Sequence, residues 1–308
     1  MEFKQRLMAN IFSLYSDLKD KKYNHGVYKQ FKINDPKPRD IHKATVRDRL
    51  LHHAIYRILY PFFDRKFIPD SYSCRLKKGQ HKAIRKFQEY YSQVSKNKTK
   101  IVWVLKCDIR KCFASVDQAT LFQILKKSIK DVELLLLLRN IIKSFSSTNI
   151  GKGLPLGNLT SQLLINIYLN ELDQFVKHKL KIKHYIRYAD DFVFMSRGKD
   201  ELENILPKIK EFLYEKLKLE LHPNKVFIKT FSSGVDFLGW IHFPYHRVLR
   251  TSTKWRMFRK LEEDQKEAVV FSYWGMLRHG NGFKLAQKVK ILYDSKHDKP
   301  KNTYNQTK

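Results

Sequence analysis

The sequence predicts an α+β fold, in which antiparallel strands and helices are mixed along one chain of 308 residues. Two apolar and β-branched stretches, 101–109 and 184–195, are typical of strands, and a polar break in the second indicates a tight hairpin. The periodicity of apolar residues predicts helices over 121–130, 132–145 and 201–217. A chain of this length can bury the cores of two or three modest domains.

The first hundred residues are predicted to combine a short helix with mixed strands and helices. Apolar residues at helical spacing indicate an amphipathic helix that ends before a polar loop at 19–26: Leu7, Ile11, Leu14 and Leu18. Aromatic and basic residues alternate beyond residue 28, which suits base stacking and phosphate contact, although any single aromatic is more often part of a core. Arg47 and Arg49 flank Asp48, and we expect a structural ion pair there.

The net charge of the chain indicates the class of its partner. It is +31, from 61 Lys and Arg against 30 Asp and Glu. Such an excess favours a polyanion, and above all a nucleic acid. A membrane is the rival partner, but no apolar stretch reaches the roughly 20 residues that span a bilayer, so we expect none. The three cysteines form no Cys-x-x-Cys pair and are predicted to be buried thiols of a reducing compartment: Cys74, Cys107 and Cys112. Because no secretory signal is visible, we expect a cytoplasmic location.

Carboxylates stand at the ends of two predicted strands. Asp108 ends the first strand, and Asp190 and Asp191 occupy the break in the hairpin. Adjacent like charges repel each other, and a bound divalent cation is the simplest way to neutralise them. The alternatives are an Asp-Asp turn for the pair and a strand-ending residue for Asp108. Ser115 or Asp117 is predicted as the N-cap of the next helix, so we expect Asp117 to be a cap and not a ligand.

A glycine-rich loop over 151–162 separates the two acidic sites and leads into an apolar, helix-like segment. Asn158 or Thr160 can cap that helix. A junction of this kind presents free backbone N–H groups to an anion or to a base edge.

The order of these blocks resembles a reverse transcriptase. The matching motifs are Asp108 with Phe113 five residues on, Gly-x-x-x-Ser-Gln at 157–162 and Tyr-Ala-Asp-Asp at 188–191. Further blocks match at 37–41, 46–50, 221–225 and 235–240, so that the resemblance covers roughly residues 28 to 290. Within this family, intron-encoded members usually carry Ser-Pro where this chain has Ser161-Gln162. The form Leu-Gly-Asn-Leu-Thr-Ser-Gln resembles the enzymes of diversity-generating retroelements.

The resemblance implies a right-hand polymerase with α+β fingers and palm, an antiparallel palm sheet with helices, and a small helical thumb. The implied domains are an N-terminal helix and fingers at 1–100 and a palm with interleaved fingers elements at 101–246. A helical thumb would follow at 247–294, and a disordered tail at 295–308.

The implied reaction is RNA-templated DNA synthesis by two-metal-ion nucleotidyl transfer, with Mg²⁺ as the cofactor and Mn²⁺ as a possible substitute. The implied metal ligands are three carboxylates and one backbone carbonyl: Asp108, Asp190, Asp191 and Ile109. Lys225 would protonate the leaving pyrophosphate, and the alternative is a solvated surface lysine.

The resemblance also implies where the substrates bind. Arg39 would stack on the incoming base and meet its phosphates, because a planar guanidinium can do both. Phe113 would exclude a 2′-hydroxyl, and the alternative for this residue is a core aromatic. Gly157 and Gln162 would contact the nascent base pair. Five more residues are implied at the template and primer: Leu156, Phe237, Leu238, Gly239 and Trp240.

The implied partners are an RNA template, a DNA or RNA primer, dNTPs and a small basic accessory protein. Enzymes of diversity-generating retroelements copy a template-repeat RNA and misincorporate opposite template adenines. The alternatives are a reverse transcriptase of a group II intron, a retron or a phage-defence system, and a non-catalytic RNA-binding scaffold on the same fold. The presence of all three carboxylates argues against the scaffold.

Overall fold

The computed structural model describes residues 6–34, 38–263 and 266–297. The chain divides into two compact units, Met1–Ile228 and Lys229–Lys308. Helices and antiparallel sheets occur in both units, so the predicted α+β class is confirmed. The domain boundaries inferred from the resemblance stay a prediction.

The first unit begins with a helix and a two-stranded hairpin. Helix α1 (Leu7–Lys19) precedes strands β1 (Lys29–Ile33) and β2 (Arg39–Lys43), which pair antiparallel. Helices α2 (Val46–Asp64) and α3 (Gln80–Val94) follow. The predicted N-terminal helix and mixed segment are therefore present.

A central four-stranded sheet is formed by three strands of the first unit and by the strand within which that unit ends. Its strands are β3 (Trp103–Asp108), β4 (Tyr185–Tyr188), β5 (Asp191–Ser196) and β6 (Phe227–Thr230), in the order β4-β5-β3-β6. The four middle residues of β3 and of β5 are buried, as expected for apolar runs that are covered on both faces. Helix α3 packs against β4 and β5, and helix α8 (Lys199–Leu217) packs against β3 and β5.

The segment between β3 and β4 is helical. It contains α4 (Cys112–Ser115), α5 (Gln118–Ser128), α6 (Val132–Lys143) and α7 (Leu159–Gln174), and a π-helical turn (Phe175–Lys179) continues α7. Helix α7 is buried on most of its surface and packs against α2 and α5. This packing holds α7 against α2, the helix that follows strand β2.

The helix caps confirm one prediction and correct another. Asp117 caps α5, since its carboxylate accepts a hydrogen bond from the N–H of Thr120 at 2.8 Å. At α7, by contrast, Asn158 occupies the N-cap position but no side chain caps the helix. The Asn158 amide instead donates to the carbonyl of His42 at 3.2 Å, so the expected cap by Asn158 or Thr160 is wrong because Asn158 serves a contact with β2.

The carboxylate of Asp48 is buried and accepts hydrogen bonds mainly from neutral donors. The ion pair predicted between Asp48 and its flanking arginines is therefore a minor part of its environment. Its carboxylate accepts hydrogen bonds from the Tyr23 hydroxyl at 2.7 Å and the Gly26 N–H at 3.2 Å. The guanidinium of Arg47 binds Asp17 and lies 3.9 Å from Asp48. The carboxylate therefore ties the loop before β1 to the start of α2.

The second unit contains a three-stranded sheet and helices. A 3₁₀ turn (Phe231–Ser233) precedes antiparallel strands β7 (Val235–Phe237), β8 (Trp240–His242) and β9 (Arg247–Leu249). The sheet is followed by α9 (Thr251–Glu263), α10 (Glu267–Leu277) and α11 (Phe283–His297).

The segment 247–294, which the resemblance assigns to a helical thumb, contains a strand as well as helices. Its first residues, Arg247–Leu249, form β9, which completes the sheet by pairing with β8. Residues 295–297 of the predicted disordered tail belong to helix α11, and 298–308 lie outside the described residues.

The cysteines and the helices bear on two further expectations. Cys107 and Cys112 are buried, but Cys74 is exposed, so the prediction of three buried thiols is wrong for Cys74, which lies in a loop. Within the described ranges, no helix combines the length and the apolar character needed to cross a bilayer.

Candidate active site

The predicted carboxylates meet at one end of the central sheet. In the antiparallel pair of β3 and β5, Asp108 lies directly opposite Asp191. Asp190 occupies the turn before β5, and the Ile109 N–H donates to its backbone carbonyl at 3.2 Å. The sheet register thus brings together residues that are far apart in the sequence.

The turn that carries Asp190 is a two-residue hairpin connection. Tyr188 pairs with Asp191, and Ala189 between them has a φ of 55°. A left-handed conformation costs a residue with a Cβ roughly 1–2 kcal/mol, so contacts around the turn must hold it in place. One such contact is a hydrogen bond of 3.1 Å from the Arg187 Nη1 to the Ala189 carbonyl.

Arg187 is fully buried and pairs with Asp173, which is also fully buried. Its Nε donates to Asp173 Oδ1 at 2.8 Å, and its Nη2 donates to Asp173 Oδ2 at 2.6 Å. The guanidinium also donates to Asn166 at 3.3 Å and to the Ser71 hydroxyl at 3.1 Å. With the bond to Ala189, the five donors of the guanidinium each have an acceptor, as a buried charge requires.

Two lysines neutralise part of the carboxylate cluster. Lys225, predicted as a proton donor, places its Nζ 2.9 Å from Asp108 Oδ1. Lys106 places its Nζ 3.0 Å from Asp191 Oδ2 and was not predicted. Its signal in the sequence is a charged residue inside an apolar strand, two positions before Asp108 and therefore on the same face.

The electrostatics of the cluster favour a bound cation. Burial raises the pKa of Asp190, and the charge of Asp108 raises it further. Burial also raises the pKa of Asp191 to about 6, although Lys106 opposes this effect. Carboxylates whose pKa values are raised in this way gain stability when a cation approaches.

The donor set fits a hard divalent cation that keeps part of its water shell. In residues 6–34, 38–263 and 266–297, no group of three or more His, Cys, Asp and Glu side chains is arranged to hold a metal ion. Asp108 pairs with Lys225 and Asp191 pairs with Lys106, and which of the three carboxylates bind the cation stays a prediction. Mg²⁺ is usually bound through one or two carboxylates together with substrate phosphates and water, so two carboxylates suffice.

Strand β2 lies against the glycine-rich loop. The N–H of His42 donates to the Leu156 carbonyl at 2.8 Å, which joins strand β2 to this loop. Gly157 has a φ of 110°, and a Cβ at this position would lie 2.8 Å from the Cγ2 of Ile41. Arg39 begins β2, and its charge opposes the rise in the pKa of Asp190 less than burial and Asp108 promote it.

Phe113 and Gln162 are half-buried. Phe113 packs against the hydrophobic core, and its carbonyl accepts a hydrogen bond from the Leu154 N–H at 2.8 Å. Gln162 lies in the first turn of α7, and its N–H donates to the Asn158 carbonyl at 3.4 Å. The roles of both side chains as substrate contacts stay predictions.

The predicted primer-contacting residues lie in the second unit. Phe237 and Trp240 pair across the hairpin of β7 and β8, and both are buried. Leu238 and Gly239 form the turn, with φ values of 52° and 85°. In this unit the two aromatics belong to the core, and the turn is the more accessible part.

A buried polar cluster at the start of α7 was missed by the sequence analysis. His52 Nδ1 lies 2.7 Å from the Thr160 hydroxyl, and His52 Nε2 lies 3.1 Å from His25 Nε2. Burial, followed by the charge of His25, lowers the pKa of His52 to about 4. The cluster connects α2 to the helix that carries Gln162.

Comparison with known proteins places this site in a family. Residues 31–242 match the family model described as reverse transcriptase (RNA-dependent DNA polymerase). The chain is 25% identical over 276 residues to the group II intron-encoded protein LtrA of Lactococcus lactis subsp. cremoris, and the match covers 68% of this chain and 45% of that protein. It is 26% identical over 253 residues to the protein YkfC of Escherichia coli, with coverage of 70% and 64%.

Solved structures share the fold at low sequence identity. Telomerase from Candida albicans in complex with a TWJ fragment of telomeric RNA matches with a TM-score of 0.56 and 12% identity, over 96% of this chain and 61% of that one. Apo telomerase from Candida tropicalis, truncated from its C-terminal domain, matches with a TM-score of 0.56 and 12% identity, over 79% and 60%. The predicted polymerase fold is thereby confirmed. The chain spans about half to two thirds of the length of these relatives.

Proposed function

Because the chain belongs to the reverse transcriptase (RNA-dependent DNA polymerase) family, we propose that it copies RNA into DNA by nucleotidyl transfer. One observation carries the proposal: Asp108 and Asp190 meet at the end of the central sheet, with Lys225 bound to Asp108. An acidic pair beside a lysine suits a phosphoryl transfer in which a cation must be held and a proton supplied.

In the proposed reaction the 3′-hydroxyl of a primer loses its proton to water and its oxygen bonds to the α-phosphorus of a dNTP, while the bond from this phosphorus to the bridging oxygen of the leaving pyrophosphate breaks. Mg²⁺ or Mn²⁺ held by Asp108, Asp190 and the Ile109 carbonyl would neutralise charge on the attacking and leaving oxygens. Lys225, 2.9 Å from Asp108, would carry the proton that the leaving pyrophosphate takes up. Asp191 would position Asp190 through its own ion pair with Lys106.

The proposed substrates are an RNA template, a DNA or RNA primer and dNTPs. Arg39 would pack on the incoming base and bind its triphosphate, because a planar guanidinium can do both. Phe113 would exclude a 2′-hydroxyl, and Gly157 and Gln162 would frame the base pair. The primer end would meet the hairpin of the second unit, at Phe237, Leu238, Gly239 and Trp240.

We further propose that the chain copies a template-repeat RNA with low fidelity, as part of a diversity-generating retroelement and with a small basic accessory protein. Ser161-Gln162 supports this subtype, because a flexible amide stands where intron-encoded members usually carry a rigid proline. The alternative is a group II intron enzyme, which the identity to the intron-encoded LtrA protein supports.

Primer extension on a homopolymeric RNA template tests the polymerase proposal. The wild type should extend an annealed DNA primer when dNTP and Mg²⁺ are supplied, and Asp108→Ala should not. Asp200→Ala, which removes an exposed carboxylate at the start of α8, is the matched control and should extend normally. Absence of extension by the wild type, or normal extension by Asp108→Ala, would refute the proposal.

Sequencing of complementary DNA tests the subtype. The wild type should misincorporate mainly opposite template adenines in a defined RNA. Gln162→Pro should change this error rate, because proline makes the backbone beside the templating base more rigid. A tenfold change in error rate corresponds to a change of only about 1.4 kcal/mol in the free-energy difference between correct and incorrect base insertion. A modest change in packing around the base pair is enough to produce it. Uniformly low errors at adenine, with any accessory protein present, would favour the intron enzyme.

A further inference from the structure

A concave basic surface lies beside helix α3, within the first unit and apart from the carboxylate cluster. It encloses about 510 Å³, and we call it the cationic groove. Five cationic side chains, one carboxylate and one tyrosine line it: Lys77, Lys78, Lys82, Arg85, Lys86, Glu89 and Tyr72. On α3, Arg85 and Lys86 lie three and four positions after Lys82, and Glu89 lies three positions after Lys86, so the four residues share one face of the helix.

Most of the positive charge in this groove is not neutralised by the protein. Glu89, the carboxylate in its lining, binds Lys86 at 2.9 Å. In the part of the chain that the structure describes, no ion pair reaches Lys77, Lys82 or Arg85, and all three side chains are exposed. Like charges held together without counterions repel one another, so binding of a polyanion would be favourable here.

One cation of the groove is held in place before any ligand binds. The Nζ of Lys78 donates to the Pro69 carbonyl at 2.8 Å and lies 5.1 Å from the centre of the Tyr72 ring. Burial lowers the pKa of Lys78, and the neighbouring charge of Arg75 lowers it further. A fixed ammonium loses less side-chain entropy on binding than a mobile one.

The groove is also joined to the catalytic turn by backbone contacts. The Tyr72 N–H donates to the Arg187 carbonyl at 3.0 Å, two residues before Ala189. The Gly79 N–H, at the start of α3, donates to the Tyr72 carbonyl at 3.0 Å. A polymer bound in the groove would therefore lie on the same rigid body as Asp190.

We propose that the cationic groove binds the sugar–phosphate backbone of a double-helical segment of the RNA substrate. The identity of the polymer as RNA rests on the proposed function. Sites for single strands combine cations with aromatic platforms for unstacked bases. The aromatic ring in this groove, Tyr72, is buried and faces Lys78, so the groove offers charge without a stacking surface. Contacts to phosphates alone suit a duplex whose bases are paired, and they carry no base sequence information.

A pair of substitutions with a matched control tests this proposal. Lys77→Gln with Lys82→Gln removes two exposed charges from the groove, and Lys210→Gln with Lys216→Gln removes two exposed charges from α8. Binding of a short RNA duplex, and of a single strand of equal length, is measured as a function of salt. Each lost phosphate contact should make the slope of log association constant against log salt concentration less negative by about 0.9. Near 0.15 M salt this change corresponds to an affinity about fivefold weaker.

The groove variant should therefore bind the duplex about thirtyfold more weakly near 0.15 M salt, with a slope reduced by about two. The control pair and single-strand binding should stay close to wild type. Equal losses in both pairs, an unchanged duplex affinity in the groove variant or an equal loss for the single strand would each overturn the proposal. One outcome separates the two proposals: the wild type does not extend primers, and only the groove variant loses duplex binding. This outcome would refute the proposed polymerase function and support the cationic groove as a duplex-binding site.

Discussion

Replacement of Arg187 by lysine should weaken both the fold and the catalytic turn. The arginine donates five hydrogen bonds inside the protein: two to Asp173 and one each to Asn166, Ser71 and the Ala189 carbonyl. Lysine keeps the positive charge, but its ammonium has three donors, so at least two acceptors lose their partner. Two such bonds, at about 1–1.5 kcal/mol each, predict a loss of about 2–3 kcal/mol in the free energy of unfolding.

The effect on activity follows from which bonds are lost. A lysine that remains paired with the Asp173 carboxylate cannot also reach the Ala189 carbonyl in the fork geometry of a guanidinium. The left-handed Ala189 would then lose a contact that holds it, and Asp190 would lose its fixed position beside Asp108. Because displacement of a reacting group by about 1 Å can cost about a hundredfold in rate, we expect the rate of nucleotide addition to fall by about that factor.

Tyr185→Phe is the matched control for this prediction. It removes the hydrogen bond of 2.8 Å from the Tyr185 hydroxyl to Asp173, in the same buried cluster, and leaves the bond to Ala189 in place. We expect it to lower the free energy of unfolding by about 1 kcal/mol and to leave the rate of addition near wild type. Urea unfolding and single-turnover primer extension measure the two quantities. The reasoning is refuted if Arg187→Lys retains the wild-type rate, or if the two variants lose stability and rate in the same proportion.

Three further predictions concern residues around the site. On folding, the pKa of His52 falls from 6.5 to about 4. Between these pH values the unfolded state binds a proton that the folded state does not bind. The free energy of unfolding of the wild type should therefore drop by up to about 3 kcal/mol as the pH falls from 6.5 to about 4. His52→Gln should lack this part of the pH dependence in urea unfolding, and an unchanged slope would contradict the assignment. Phe113→Ala should let ribonucleotides compete with deoxyribonucleotides in primer extension, and unchanged rejection of ribonucleotides by a folded variant would assign Phe113 to the core alone. Gly157→Ala should lower the free energy of unfolding more than Gly151→Ala does. Gly157 has a φ of 110° and an added Cβ would lie 2.8 Å from the Ile41 side chain, whereas nothing lies within 4 Å of a Cβ at Gly151. Equal losses of stability in the two variants would contradict the close approach of Ile41.

The catalytic hairpin could be predicted from the sequence because its signals are local. An apolar run that ends at Asp108, and an apolar hairpin broken by Asp190 and Asp191, are visible in a few consecutive residues. The register that pairs Asp108 with Asp191 follows once both runs are placed in one sheet. The N-cap at Asp117 is local in the same way, and it too was found.

The missing parts depend on contacts between segments distant in sequence. In the sequence, Lys106 is a single charged residue within an apolar strand. Its partner, Asp191, lies on β5 and comes beside it only when the two strands pair. His25 and His52 are separated in the chain, and each resembles an ordinary core or surface histidine until packing joins them to Thr160. Strand β9, three residues long, is too short to show a period of two, so it was not predicted as a strand.

The most direct test of the account is the rate of a single nucleotide addition by Asp190→Ala on a preassembled RNA template and DNA primer. Loss of one metal-binding carboxylate should slow the addition by roughly a thousandfold or more. Binding of the RNA should be preserved, since it depends on many distributed cations, and Asp200→Ala should add the nucleotide at the wild-type rate. A rate for Asp190→Ala within a few fold of wild type, with Mg²⁺ present, would contradict the assignment of this carboxylate cluster as the polymerase active site.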